Sequence, residues 1–290
     1  MGIWSLLLCI PFALVGCDHN VHGNEPDGLS VALAWQNPTA ADTIKDIRLW
    51  AYNAADGTKV IEKQYADVRE LASDSYQLSD GTYRVLTVVN LKSPLSITNT
   101  SNLNELLLSL SDANASPEHV WYSVAEAKMG ATRSSELAAD TLRRALAELT
   151  VTIENAPDSM TFTGTLTNAA TGINLGVKSA DGTYGVANNT QAIVTLPSAT
   201  TQGTIIQTET MRLMPTEGNG SKSHFLFLLT NAEGHANEFE IEAPVMKPGG
   251  KYQITLDYRT MRAFMSLSTN VINSWTEGGS NNGEILNPDK

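Results

Sequence analysis

The chain has 290 residues and a hydrophobic fraction of 42%, enough for two packed domains and too much for a disordered chain. Acids outnumber Lys and Arg by 31 to 19, and the net charge of −12 excludes a nucleic-acid binder that works by neutralising phosphates. Charged residues are only 17%, and Thr, Ser and Asn recur throughout, a composition that suits extracellular β-rich surfaces. The first element, Ile3 to Gly16, is apolar and uncharged. It is too short to span a bilayer as a helix, which takes roughly 20 residues, and it reads as a secretion signal over residues 1–16, although no Lys or Arg precedes it. The run ends in Leu14-Val15-Gly16-Cys17, which resembles the bacterial lipobox, where small residues precede a Cys that becomes the lipidated N-terminus. Cys17 is therefore the expected lipid attachment site. Several acyl chains on one Cys make an anchor nearly permanent, whereas one chain holds only marginally. Cys9 leaves with the signal peptide, so the exported chain has no thiol left for a disulfide or a thiolate metal site.

Residues 17–28 are polar and turn-rich and read as a flexible tether that reaches roughly 35 Å when extended. His19 and His22 lie on it without the supporting groups that a metal site needs. From Leu29 the pattern has period two: Leu29, Val31, Leu33 and Trp35 alternate with Ser30, Ala32 and Ala34, as in a strand with one buried face. A second strand runs from Ile44 to Tyr52, and Asp56-Gly57 supplies a hairpin turn. Asp80-Gly81 then leads into a core strand over Thr82–Asn90. Leu103, Leu106, Leu107 and Leu110 have helical spacing with Asn102 or Thr100 as cap, so one short helix is expected there, packed on the core. Residues 136–149 have helix propensity yet run straight into the alternation Leu149, Val151, Ile153, and both readings stay open on local grounds. Short strand-like runs follow at Met160–Asn168, Ala192–Leu196, Thr204–Leu213, His224–Thr230, Phe239–Glu242, Lys251–Tyr258 and Arg262–Ile272, separated by Gly and Asn turns. Many short strands at this spacing mean sandwiches or barrels. The boundary falls near Ala145–Thr150, giving an N-terminal unit over 29–145 and a C-terminal unit over 146–290.

Catalytic chemistry finds no support in the chain. His119, His224 and His235 belong to no zinc-binding pattern, and there is no nucleophile elbow, P-loop or dinucleotide fingerprint. Glu238, Glu240 and Glu242 would share one face of a strand opposite Phe239 and Ile241, which reads as a solvated face. Asp-Gly-Thr-Tyr occurs at Asp80–Tyr83 and Asp181–Tyr184 and reads as a turn entering a strand; no Asp-rich ligand series follows, so no Ca²⁺ loop is expected. No enzyme, metal or cofactor is expected.

The order of these elements carries a resemblance. A lipobox precedes a strand ending in Trp35; Asp56-Gly57 follows; Leu-Ser-Asp-Gly-Thr-Tyr-Arg-Val at Leu78–Val85 leads to Asn90. An Arg-containing stretch spans Leu142–Ile153, Pro-Gly-Gly-Lys-Tyr-Gln-Ile lies at Pro248–Ile254, and the end reads Asn270-Val-Ile-Asn-Ser-Trp275. This resembles the fimbrillin-like lipoproteins of the Bacteroidales, in particular the fimbrium anchor and accessory group of the type V pilus system. The resemblance implies an all-β protein of two tandem transthyretin-like, Greek-key β-sandwich domains. It implies an outer-membrane lipid anchor at the cell surface, fimbrial subunit proteins as partners, and a role in anchoring or assembling adhesive fimbriae. It also tips residues after Thr141 towards strand. Stalk subunits of that system are matured by cleavage at an Arg after the first strand; between Trp35 and Ile47 this chain has only Lys45. That favours an anchor or accessory protein that keeps its lipidated end. If a partner adds a strand, the best candidate for the element that opens the acceptor edge is the first strand, through Leu29, Val31, Leu33 and Trp35; an anchor that retains this strand would have to offer another free edge, and both readings stay open. The competing reading is a glycan-binding surface lipoprotein stacking sugars on Trp35, Trp50, Trp121 or Trp275.

Overall fold

The computed structural model describes residues 28–35, 43–130, 135–137, 140–260 and 262–268. The expected signal peptide, nearly all of the tether, Cys17 and Trp275 lie outside the described residues. The N-terminal half runs β1 (Leu33–Trp35), β2 (Ile47–Asn53), β3 (Lys59–Tyr65), α1 (Val68–Ala72), β4 (Gly81–Val89), β5 (Leu95–Thr98), β6 (Leu107–Leu110), β7 (Trp121–Met129), β8 (Ser135–Leu137) and β9 (Asp140–Arg144). The rest is β10 (Ala147–Glu154), β11 (Thr161–Ala169), β12 (Gly172–Lys178), β13 (Tyr184–Ala187), β14 (Ala192–Thr195), β15 (Ala199–Thr200), β16 (Ile206–Gln207), β17 (Met211–Leu213), β18 (His224–Thr230), β19 (Ala236–Glu242), β20 (Lys251–Asp257) and β21 (Arg262–Ser268). The ambiguous stretch after Thr141 is strand.

A seven-stranded sheet in the order β1-β9-β7-β4-β2-β3, with β8 also on β7, forms the centre of the N-terminal half. Both its faces are covered. This is why β4 is buried without interruption over Val85–Val89 rather than at alternate positions. Leu86 and Val88 point into one core with Trp50, Tyr52 and Tyr122, and Tyr83, Val85 and Val89 point into another with Ile47, Leu49 and Trp121. The first core is closed by a four-stranded sheet, β5-β6-β12-β13; the second is closed by the first segment, α1 and Tyr76. The C-terminal sandwich packs β16-β10-β20-β21 against β14-β11-β18-β19, with β17 on β10 and β15 on β11. Its core holds Val151, Ile153, Phe162, Phe225, Phe227 and Ile254.

The helix expected from Leu103, Leu106, Leu107 and Leu110 is corrected to a single 3-10 turn, Leu103–Glu105, followed by β6. The stretch after the turn also carries period two, since Leu106, Leu108 and Leu110 are buried and Leu107 is only half-buried. β6 finds backbone partners on both sides, β5 and β12, and that ladder outweighs the local helical spacing. Asn102 still caps, its side chain accepting the Asn104 amide at 2.9 Å. The short helix of the N-terminal half is α1, where the Asp67 carboxylate accepts the amides of Arg69 and Glu70 at 2.8 and 3.1 Å.

Sheet membership does not respect the boundary expected at 145/146. The β12–β13 hairpin lies well beyond it, yet β12 pairs with β6 through Gly172↔Ser109, Ile173↔Leu108 and Asn174↔Leu107. Ile173 and Leu175 enter the N-terminal core. The hairpin lies so close to the 3-10 turn that a β-carbon at Gly176 would overlap the Leu103 carbonyl. It is clasped at its tip, where Lys247 lies 2.7 Å from Asp181 and 3.5 Å from Glu217, and where the Tyr122 hydroxyl donates to the Tyr184 carbonyl.

A second tie joins the two halves. Glu148 of β10 faces three cationic or protonatable groups: His119 Nε2 at 2.7 Å, Lys251 Nζ at 3.1 Å and Arg212 Nε at 3.6 Å. The hydrogen bond from His119, reinforced by Lys251, holds the Glu148 carboxyl down at about 2 against the pull of burial. The Arg212 amide donates to Ser116 Oγ and the Thr195 amide to Asn114 Oδ1, so the 111–119 loop is fixed to the C-terminal sandwich as well.

Candidate functional site

The first segment crosses the face of the seven-stranded sheet and finishes on its edge. It begins with Gly28 at φ +155°, where a β-carbon would sit 2.9 Å from the Tyr76 carbonyl oxygen, so the tether must enter through a glycine. Leu29 then exchanges both backbone hydrogen bonds with Tyr76, at 2.9 and 3.0 Å. Leu29 is 0% and Val31 4% exposed, and both pack with Ile47, Leu49, Val85, Val89 and Leu142; Leu33 is half-buried against the same cluster. Three of the four residues expected to point inward therefore meet one core. The backbone of Trp35 is in β1, and its side chain is outside the described residues. The ordered strand is shorter than the expected Leu29–Trp35, because the Tyr76 bridge takes over at its start.

Among the described residues β1 bonds only to β9, in parallel, through Leu33↔Asp140, Ala34↔Thr141 and Trp35↔Leu142. A parallel pair is slightly weaker per residue than an antiparallel one, and three pairs make a short seam. Burial of Leu29 and Val31 adds roughly 1.5–3 kcal/mol each. The segment is thus held by side chains more than by its ladder. Beneath it, Tyr65 donates to Asp74 Oδ2 at 2.7 Å and its hydroxyl meets that of Tyr76; burial pushes both phenols above the ordinary tyrosine range. The opposite edge strand, β3, carries exposed Glu62, Lys63 and Gln64, the kind of charged edge that resists casual pairing.

Sequence reasoning missed the Tyr76 bridge and the parallel seam, since neither leaves a local pattern. The remaining expected features fall as follows. Glu238, Glu240 and Glu242 are exposed on β19, with Phe239 and Ile241 buried behind them; Glu240 and Glu242 reach His224 and Lys222 at 3.1 and 2.8 Å. Asp181 accepts the Thr183 amide at 3.0 Å in a turn. Trp50 and Trp121 are 3% and 2% exposed, so these two offer no face on which a sugar stacks. Among the described residues, no group of three or more His, Cys, Asp or Glu is arranged to hold a metal, and no helix is long and apolar enough to cross a membrane.

The family model of the fimbrillin-A associated anchor proteins Mfa1 and Mfa2 matches residues 23–278. The chain belongs to this family. Among solved structures, the fimbrial anchor protein Mfa2 from Porphyromonas gingivalis aligns over 84% of this chain and 98% of its own, with 11% identity and a TM-score of 0.53. A Bacteroides eggerthii protein described as a cell-adhesion candidate aligns over 78% of this chain and 81% of its own, with 12% identity and a TM-score of 0.53. An adhesin candidate from Bacteroides thetaiotaomicron covers 82% and 95%, with 10% identity and a TM-score of 0.51. At these identities the likeness is one of fold. No curated protein matches. Membership of the Mfa2 family agrees with the resemblance read from the order of motifs, and this family is one of fimbrial structural proteins.

Proposed function

We propose that this chain is a lipid-anchored, cell-surface protein that anchors or helps assemble adhesive fimbriae, with Cys17 carrying the lipid and fimbrial subunit proteins as partners. The family match across residues 23–278 supports the fimbrial role, and the tetrapeptide ending at Cys17 supports the outer-membrane anchor. The partner is bound by strand addition at the edge of the seven-stranded sheet. The observation that carries this reading is the first segment: a three-pair parallel seam on β9, lying over a core lined by Leu29 and Val31. Its departure would bare the backbone of β9 together with an apolar groove, and an incoming extended strand would satisfy both. Because the buried side chains hold the segment in place, it leaves only as a replacement arrives. The test is hydrogen exchange with and without the C-terminal peptide of a fimbrial subunit. Loss of the Leu29 and Tyr76 amide protection is expected, with the Asp140–Leu142 edge staying protected because the incoming strand takes the place of β1. Protection confined to loop tips, with no edge amide affected, refutes strand addition and leaves surface docking.

A further inference from the structure

A cleft of ≈ 350 Å³ opens where the two halves meet. Its rim is formed by the exposed side chains of Lys45, Lys92 and Glu118, and its inner wall by His119 and Arg212, whose side chains are 15% and 33% exposed. Thr43, Asn90 and the indole of Trp121 complete the lining. Clefts between domains, in the range of about 300–1,000 Å³, are where small ligands most often bind.

The electrostatics of this cleft run against those of the molecule. The chain carries −12, yet Lys45, Lys92 and Arg212 face a single acid, Glu118. Lys92 is satisfied by Glu118 at 2.5 Å, and Glu148 lies behind Arg212. Lys45 has no carboxylate partner among the described residues. Its backbone is nevertheless tightly set. Asn90, at φ +61°, accepts the Lys45 amide on its side-chain oxygen at 2.8 Å, donates its own amide to the Lys45 carbonyl at 3.0 Å, and donates its side-chain amide to the Thr43 carbonyl at 2.8 Å. Asn90, in the left-handed region, thus fixes the backbone that presents this ammonium at the mouth of a cationic cleft. Such a site selects an anion. The presence of Glu118 and the Thr43 hydroxyl beside the cations adds hydrogen-bond acceptors, which a bare phosphate or sulfate does not need and a polyhydroxylated ring does. Trp121 is the only apolar side chain in the lining and is 2% exposed, so the cleft offers no aromatic face.

We propose that this cleft binds a carboxylated sugar residue of the hexuronate or sialate type, with its carboxylate against Lys45 and Arg212 and its hydroxyls towards Glu118 and Thr43. Recognition is by charge and hydrogen bonds, not by aromatic stacking, and it is independent of the strand edge. The test is calorimetric titration of the full chain with trigalacturonate and with 3′-sialyllactose, against galactotriose as neutral control and triglutamate as peptide control. One acidic saccharide is expected to bind at least about tenfold more tightly than either control, and which one binds distinguishes uronate from sialate. Lys45→Gln removes one charged hydrogen bond and should weaken that binding about tenfold, leaving the thermal midpoint unchanged because Lys45 is exposed. Lys92→Gln should weaken it less, since Glu118 already engages that ammonium. Equal binding of galactotriose, no binding of either acidic saccharide, or an affinity unmoved by Lys45→Gln overturns the proposal. Triglutamate binding as tightly as the sugars assigns the cleft to an acidic peptide and overturns it too.

Discussion

Glu148→Gln tests whether the junction between the two halves is an electrostatic tie. The substitution keeps the side chain's size and removes the charge that His119, Lys251 and Arg212 share. A carboxyl held at about 2 instead of its ordinary 4.5 carries linked stability on the order of 3 kcal/mol. The Glu148 side chain is only 13% exposed, so solvent screening trims that figure modestly. The folded-state value is depressed, so the contribution is fully present above pH 4.5 and is lost as pH falls towards 2. Urea unfolding of wild type and Glu148→Gln at pH 7, 5, 3.5 and 2.5 measures it. The variant should be less stable by about 2–3 kcal/mol at pH 7 and 5, and the gap should narrow steadily through pH 3.5 to 2.5. A gap that stays constant down to pH 2.5 refutes the electrostatic account, because a packing defect would not titrate. A gap below about 0.5 kcal/mol at pH 7 refutes the tie itself.

Three further outcomes are expected. Cys17→Ala should move the protein from the membrane fraction to the soluble fraction, and a variant that stays membrane-bound with native mobility contradicts lipidation. Leu29→Ala empties a fully buried site and should cost about 2–5 kcal/mol in urea unfolding; under the strand-addition reading it should also speed capture of a subunit peptide, because the resident segment is held less firmly. Gly176→Val forces a side chain against the Leu103 carbonyl and should cost about 1–3 kcal/mol, read as a lower thermal midpoint, whereas Gly130→Val, with open space around its β-carbon and no left-handed backbone, should cost less.

The legible parts of this fold were the strands whose alternation meets a single core. His224–Thr230 and Lys251–Tyr258 stand in the structure as β18 and β20, nearly residue for residue. Leu103–Leu110 misled because its leucines satisfy helical and strand spacing at once, and the deciding partner, β12, lies more than sixty positions downstream. Nothing local in Gly172–Ala187 marks it as belonging to the first sandwich. The parallel pairing of β10 with β20 is equally silent, since pairing partners leave no trace in either strand's own pattern. At the candidate edge, the inward set Leu29, Val31 and Leu33 was readable from period two, whereas the bridge to Tyr76 was not. The His119–Glu148–Arg212 cluster draws on residues far apart in the chain, each an ordinary polar position by its neighbours.

The route of the β12–β13 hairpin has a consequence for how the protein reaches its destination. A chain that is exported N-terminus first emerges in order, and the first sandwich cannot close until Ala187 has passed through. Until then Leu106 and, on β6, Leu108 and Leu110 lack the packing that Ile173 and Leu175 supply, and one side of β6 offers an unpaired backbone. The intermediate is therefore a half-built sheet with its apolar face open, a state that aggregates unless it is shielded or the remaining chain follows quickly. Under the lipid-anchor proposal, the N-terminal end would already be seated in a membrane while the body was unfinished. Folding of a chain that emerges in this order is thereby a race between completing one insertion and sticking to its neighbours, and the rate at which the chain is delivered becomes part of what determines its yield.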